Sequence, residues 1–96
     1  MADKNARLKL APNFILHQED NGGTEKKYYA LNTESGDIYS INDTVYAFLS
    51  LCDGSRNFSE ILVDLQAKYK VDLKEMEQDF APLLEQWLNI KIIQAL

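Results

Sequence analysis

Cysteine is almost missing from this chain. Cys52 is the single one in 96 residues, which excludes an internal disulfide and any multi-cysteine zinc site. Long apolar runs are missing too. None approaches the roughly 20 residues that span a bilayer, and residues 1–10 mix charged and small side chains without the apolar stretch of a secretory signal. These absences favour a reducing cytoplasm. Positive charge is sparse: the formal net charge is −5, and residues 28–96 set five basic side chains (Arg56, Lys68, Lys70, Lys74 and Lys91) against eleven acidic ones. Such a balance opposes phosphate backbones and anionic lipid, so neither nucleic acid nor membrane is an expected partner. A neutral or basic partner fits better.

The chemistry-bearing patterns are absent as well. His17 is the one histidine, so an imidazole triad or metal site has a single candidate and no supporting ligands; it is most simply a strand-end residue. Cys52 has Asp53 beside it, which opposes thiolate formation, and it is most simply a small buried hydrophobe. There is no glycine-rich phosphate cradle, and no carboxylate pair stands at a spacing that suggests acid–base work. No catalytic residue, metal or cofactor is expected, and the chain does not read as an enzyme.

What is present suits one small folded domain. Apolar residues make up 46% of the chain and aromatics 10%, enough for one core and too little length for two. Residues 1–11 lack a sustained period and read as a flexible N-terminal arm, leaving 12–96 as the domain. After Pro12, Asn13-Phe14-Ile15-Leu16-His17 reads as a first strand, and Asn21-Gly22-Gly23 marks a turn. Lys27-Tyr28-Tyr29-Ala30-Leu31 reads as a second strand. The cluster from Asn32 to Asp37 is a turn in which Gly36 is free to take positive φ. Ile38-Tyr39-Ser40-Ile41 follows as a third strand, close enough to the second to pair as a hairpin.

Beyond Ile41 the apolar period lengthens from two to about 3.6. Asn42 or Asp43 suits an N-cap, Val45, Phe48, Leu49 and Cys52 share one helical face, and Gly54 closes the helix. Ser59 is placed to cap a second helix, with Phe58 and Val63 as a hydrophobic staple and Ile61, Leu62, Leu65 and Tyr69 inward. Asp72 and Glu75 form a capping pattern ahead of a third helix whose stripe is Leu73, Met76, Phe80, Leu83, Leu84, Trp87 and Leu88. Pro82 interrupts that stripe; periodicity alone leaves open a kink or a break with Asp79 recapping. Ile90, Ile92 and Ile93 form a short extended or helical tail.

Leu31-Asn32…Gly36, then Ile38-Tyr39-Ser40-Ile41-Asn42, the Asp53-Gly54 pair, Ile61 with Leu65, and Asp79-Phe80 with Leu83-Leu84 occur in an order and spacing that resemble the PqqD family across residues 28–88. Two features depart from the family pattern: Pro82 within the last helix, and Asn89-Ile90 where a Gly-Leu is usual. At the latter, Asn89 is able to supply the left-handed cap. The resemblance implies an α+β, winged helix-turn-helix-like domain, a three-stranded antiparallel sheet followed by three helices. It implies a non-enzymatic recognition element that binds the leader of a ribosomally made precursor peptide as an added strand on the third strand. The domain then presents that peptide to a modifying enzyme such as a radical SAM maturase, a cyclodehydratase or a leader peptidase.

The expected peptide-binding residues are Asp37, Ile38, Tyr39, Ser40 and Ile41 on the strand, with Phe80, Leu83, Leu84 and Trp87 on the third helix. From the family's preferences, Tyr39 and Ile41 pack inward while Ile38 and Ser40 lie nearer the groove. The helix stripe is wider than the ~100° arc of an ordinary surface helix, which leaves a side for a groove. Acidic Asp37, Glu75, Asp79 and Glu85 either attract a basic leader or simply keep the face solvated. Two rivals stand beside this reading: a winged-helix DNA-binding regulator, disfavoured by charge, and a docking subunit or homodimer using Trp87 and the apolar tail Ile90–Leu96.

Overall fold

The computed structural model describes residues 5–20 and 26–96. The elements run β1 (Arg7–Leu10), β2 (Phe14–Asp20), β3 (Lys26–Asn32), β4 (Ile38–Ile41), α1 (Asp43–Ser50), β5 (Asp53–Asn57), α2 (Phe58–Tyr69), α3 (Leu73–Asn89) and β6 (Ile93–Ala95). β2, β3 and β4 form the expected antiparallel sheet, with β3 in the middle and Tyr28 opposite Ile41 and Leu31 opposite Ile38. The expected turn at Asn21-Gly22-Gly23 falls outside the described residues.

The hairpin from β3 to β4 follows from its side chains. Asn32 Oδ1 accepts the N–H groups of Glu34 (3.0 Å) and Ser35 (3.3 Å), a local bond that starts the reversal. Gly36 takes φ +81, a conformation that strains residues carrying a Cβ. Its N–H donates to the Asn32 carbonyl (2.8 Å), and Asn32 N–H in turn donates to the Asp37 carbonyl (2.9 Å). Asn13 Nδ2 ties the turn to the start of β2 through Asn32 Oδ1 (3.2 Å).

A second sheet, β5-β1-β6, was not foreseen. It overturns the flexible-arm expectation for residues 7–11: Leu8 is 1% and Ala11 3% exposed, and β1 pairs on both sides, with β5 and with β6. A buried side chain and two ladders of hydrogen bonds hold what its charged alternate residues, Arg7 and Lys9, made look like a free arm. The same sheet displaces Gly54 from its expected role. α1 ends at Ser50, and Gly54, at φ +89, lies within β5. A Cβ there would come 3.3 Å from the Leu96 side chain and close to Lys9.

Asn42 caps α1 by accepting the N–H of Val45 at 2.8 Å. The cap of α2 is Asn57 rather than Ser59. Asn57 and Glu60 exchange side chain-to-backbone bonds in a capping box, a reciprocity that Ser59 lacks because Leu62 stands three residues on. Val63 is exposed, so no staple forms. Asp72 caps α3 through the Lys74 N–H (3.3 Å). α3 runs unbroken through Pro82. The proline lies on the exposed side, where water can serve the carbonyl it leaves unpaired. Lys91, at φ 65, provides the left-handed residue after α3 in place of Asn89, and Ile92 N–H closes onto the Trp87 carbonyl at 3.0 Å. The tail then extends as β6.

The core gathers around Phe48, which is fully buried. Its ring stacks on Phe80 (centroids 5.0 Å, interplanar 12°) and meets Trp87 at 5.1 Å and Phe58 at 6.0 Å. Cys52 is buried beside it, with Sγ 3.4 Å from the Phe48 carbonyl.

Candidate functional site

β4 is an edge strand, paired on one side with β3 and on the other with nothing among the described residues. Its hydrogen-bonding phase follows from the turn. The Asn32–Asp37 pair is bonded, and bonded and non-bonded pairs alternate along an antiparallel ladder. Tyr39 and Ile41 therefore bond to β3, while the N–H and C=O groups of Ile38 and Ser40 point to the open side. This four-residue edge carries no charge. The opposite edge of the same sheet, β2, ends in Glu19 and Asp20, the kind of protection that keeps edges from pairing with stray strands.

Side-chain directions follow from the same register. Leu16, Ala30 and Tyr39 are aligned across the sheet on its inner face. Ala30 is fully buried, and the Tyr39 ring lies 6.2 Å from that of Phe14. Tyr39 and Ile41 thus face inward, as the family preference implied, although Tyr39 keeps 37% of its surface exposed. Ile38 and Ser40 point outward and are exposed. Asp37, at the mouth of the turn, accepts a bond from the Ser35 hydroxyl at 2.9 Å.

The helix residues divide. Phe80, Leu84 and Trp87 are 5%, 1% and 6% exposed, and the two aromatic rings pack on Phe48. They pack into the core and leave little surface open, where the sequence reading has them lining a groove. The wide apolar arc reflects burial against α2, β6 and the Phe48 ring of α1. Leu83 alone of the four is half-buried. The acidic residues Glu75, Asp79 and Glu85 are exposed.

Two depressions escaped the sequence reading. One, of about 700 Å³, lies on the outer face of the β2–β3–β4 sheet and is lined mainly by Ile15, Tyr29, Leu31 and Ile38 with His17 at its side. The signal for it was the alternation in each strand, since Ile15, Leu31 and Ile38 fall on one face once the register is known. The other, of about 610 Å³, runs between β2–β3 and the helices α1 and α2 and holds Tyr28, Tyr46 and Tyr69. Tyr28 and Tyr46 pack at 4.8 Å. The Tyr69 hydroxyl donates to the Asp43 carbonyl (3.4 Å), and burial, then the charge of Asp43, raises its pKa.

Among the described residues the titratable groups with shifted pKa values form no reactive pair. Burial pushes the Cys52 thiol up to about 12, with Asp53 adding to the shift, so at neutral pH it is a protonated, shielded thiol. Hydrogen bonds from the Ser55 hydroxyl and N–H hold the Asp53 carboxyl below its usual range, and Arg56 lowers it further. Arg56 bridges Asp53 (3.1 Å) and Asp64 (3.0 Å). His17 stacks against Tyr29. Among the described residues no group of three or more His, Cys, Asp or Glu side chains is placed to hold a metal, and no helix is long and apolar enough to cross a membrane.

The model of the family described as Coenzyme PQQ synthesis protein D (PqqD) matches residues 27–93. This chain belongs to the PqqD family. The match covers β3 through the start of β6 and so includes the β4 edge. A PqqA binding protein from Methylococcus capsulatus (strain ATCC 33009 / NCIMB 11132 / Bath) is 33% identical over 82 residues, 85% of this chain and 81% of the relative. Two solved structures share the fold of this PqqD-family chain, each with a TM-score of 0.70. TbiB1 in complex with the TbiA(beta) leader peptide is 19% identical and aligns over 90% of this chain and 94% of its own. A lasso peptide synthetase B1 complexed with the leader peptide is 21% identical, over 93% and 99%.

Proposed function

We propose that this chain captures the leader segment of a ribosomally made precursor peptide as a fourth strand on β4, and presents that peptide to the enzyme that modifies it. It does no bond chemistry itself. The observation that carries the reading is the open β4 edge: two outward N–H groups and two outward carbonyls, from Ile38 and Ser40, on a strand with no protecting charge. Strand addition uses such groups for affinity and the alternating side chains for selectivity. The reading is supported by the names of a relative that binds PqqA and of two proteins of the same fold complexed with leader peptides. Membership of a family that makes peptide partners rather than catalysts agrees with it.

The contact surface in this reading is Asp37 to Ile41, with Leu83, the one half-buried member of the four helix residues, as the candidate on α3. Phe80 and Trp87 pack on Phe48 of α1, the helix that contacts β2 and β3, and Leu84 is buried with them in the core. The test is to titrate isotope-labelled protein with a synthetic leader from any short precursor reading frame found beside its gene. Amide signals of residues 38–41 shift, and the amides of Ile38 and Ser40 gain protection from hydrogen exchange. A peptide that binds without touching this strand, or fails to bind, refutes the proposal.

A further inference from the structure

The outer face of the β2–β3–β4 sheet carries an apolar row that runs straight to the open edge. Ile15 pairs with Leu31, and Leu31 pairs with Ile38, so the three side chains stand side by side on one face. Ile15 and Ile38 are 54% and 63% exposed, among the most exposed large apolar residues of the molecule. The neighbouring row is different in kind: His17, Tyr29 and Ser40 align there, with the His17 and Tyr29 rings stacked at 6.4 Å. An edge strand reads its partner at alternate positions. Here the two outward-facing positions, Ile38 and Ser40, offer an apolar side chain and a hydroxyl.

Resting on strand addition at β4, we infer that Ile38 is a specificity-determining residue and that it selects an apolar, preferably β-branched, residue at the leader position directly opposite. That side chain becomes the fourth member of the Ile15–Leu31–Ile38 row. With the leader antiparallel to β4, the outward backbone groups of Ile38 make its cross-strand partner a hydrogen-bonded one, with the two Cα atoms about 5.5 Å apart. Packing there removes water from both side chains. The leader residue two positions away faces Ser40 and the polar row, and tolerates polar side chains. The apolar position belongs to the outer face, separate from whatever the leader contacts on the inner side near Tyr39.

The test uses a displayed library of random short peptides, selected in parallel on the wild-type protein and on variants. Wild type enriches Ile, Val or Leu at one position, with polar residues accepted two away; alanine at the enriched position weakens binding about five- to tenfold. Ile38→Glu switches that position to Lys or Arg and leaves the rest of the motif alone. Ile15→Glu, two strands from the edge, keeps the wild-type motif. Both substitutions are at exposed sites, and thermal unfolding of each variant verifies the fold. Ile38→Thr, which keeps the branched shape, weakens the apolar preference without reversing it. An apolar position that persists unchanged in Ile38→Glu overturns the inference while leaving peptide capture standing. Failure of the wild-type protein to retain any peptide sinks capture at β4 and this inference with it.

Discussion

The hydrogen-bonding phase of β4 makes a prediction that needs no peptide. Proline removes a backbone N–H, so its effect depends on which way that N–H points. In Tyr39→Pro the lost bond runs to the Ala30 carbonyl, at a residue that is 0% exposed. An orphaned buried acceptor costs about 1–3 kcal/mol, and the lost Tyr39 ring, packed near Phe14, adds to that. In Ile38→Pro the missing N–H faces solvent, an arrangement edge strands tolerate. The side chain is 63% exposed, so the change amounts to no more than about 1 kcal/mol by loss of the cross-strand pair with Leu31. Urea unfolding measures both, with Tyr39→Ala separating the ring's share from the backbone's. Tyr39→Pro is expected to exceed Tyr39→Ala by 1 kcal/mol or more, while Ile38→Pro stays near wild type. In the leader titration the order inverts: Ile38→Pro weakens binding by about 1–2 kcal/mol, roughly 5- to 30-fold in Kd. Equal destabilisation by the two prolines, or a larger effect at Ile38, would show that the phase is inverted and would sink the argument for the open edge.

Other consequences are as direct. Cys52 is inert to iodoacetamide at pH 8 in the folded protein and reacts once urea unfolds it. Its folded pKa of about 12 lies above the ordinary 9.0, so above pH 9 the unfolded chain releases a proton that the folded one keeps. Stability therefore falls as pH rises from about 9 towards 12, by up to about 1.4 kcal/mol per pH unit, and Cys52→Ala flattens that slope in alkaline urea titrations. Asn57→Ala removes the capping box of α2 and lowers stability by about 1 kcal/mol, read from the urea midpoint; Ser59→Ala, outside the cap, leaves it almost unmoved. Trp87 emission has the short-wavelength maximum of a shielded indole and reports unfolding rather than occupancy of the edge.

Local chemistry made much of this fold legible. Asn32, Gly36 and Asp37 announce their own turn, and the run Ile38–Ile41 ends where Asn42 begins a helix. Elements that depend on distant partners were hidden. Residues 7–10 become a strand because Asn57 and Arg56 lie on one side and Gln94 and Ala95 on the other, and nothing within Arg7-Leu8-Lys9-Leu10 records those neighbours. The site was half legible for the same reason. The strand over residues 38–41 could be read from pattern, its inward and outward faces only from the family resemblance, and whether Phe80 and Trp87 face a groove or a core depends on Phe48, roughly 30 to 40 residues earlier in the chain. Counting apolar residues around a helix shows how much surface is greasy, not what covers it.

The unforeseen sheet also brings remote parts of the polypeptide into register: the Leu96 amide donates to the Arg7 carbonyl at 2.8 Å. A tether leaving ahead of Arg7 and one leaving after Leu96 would start from nearly the same point. An enzyme joined to either end would thus swing on a similar leash, and the order in which the two modules are joined would matter little to where its active site can travel.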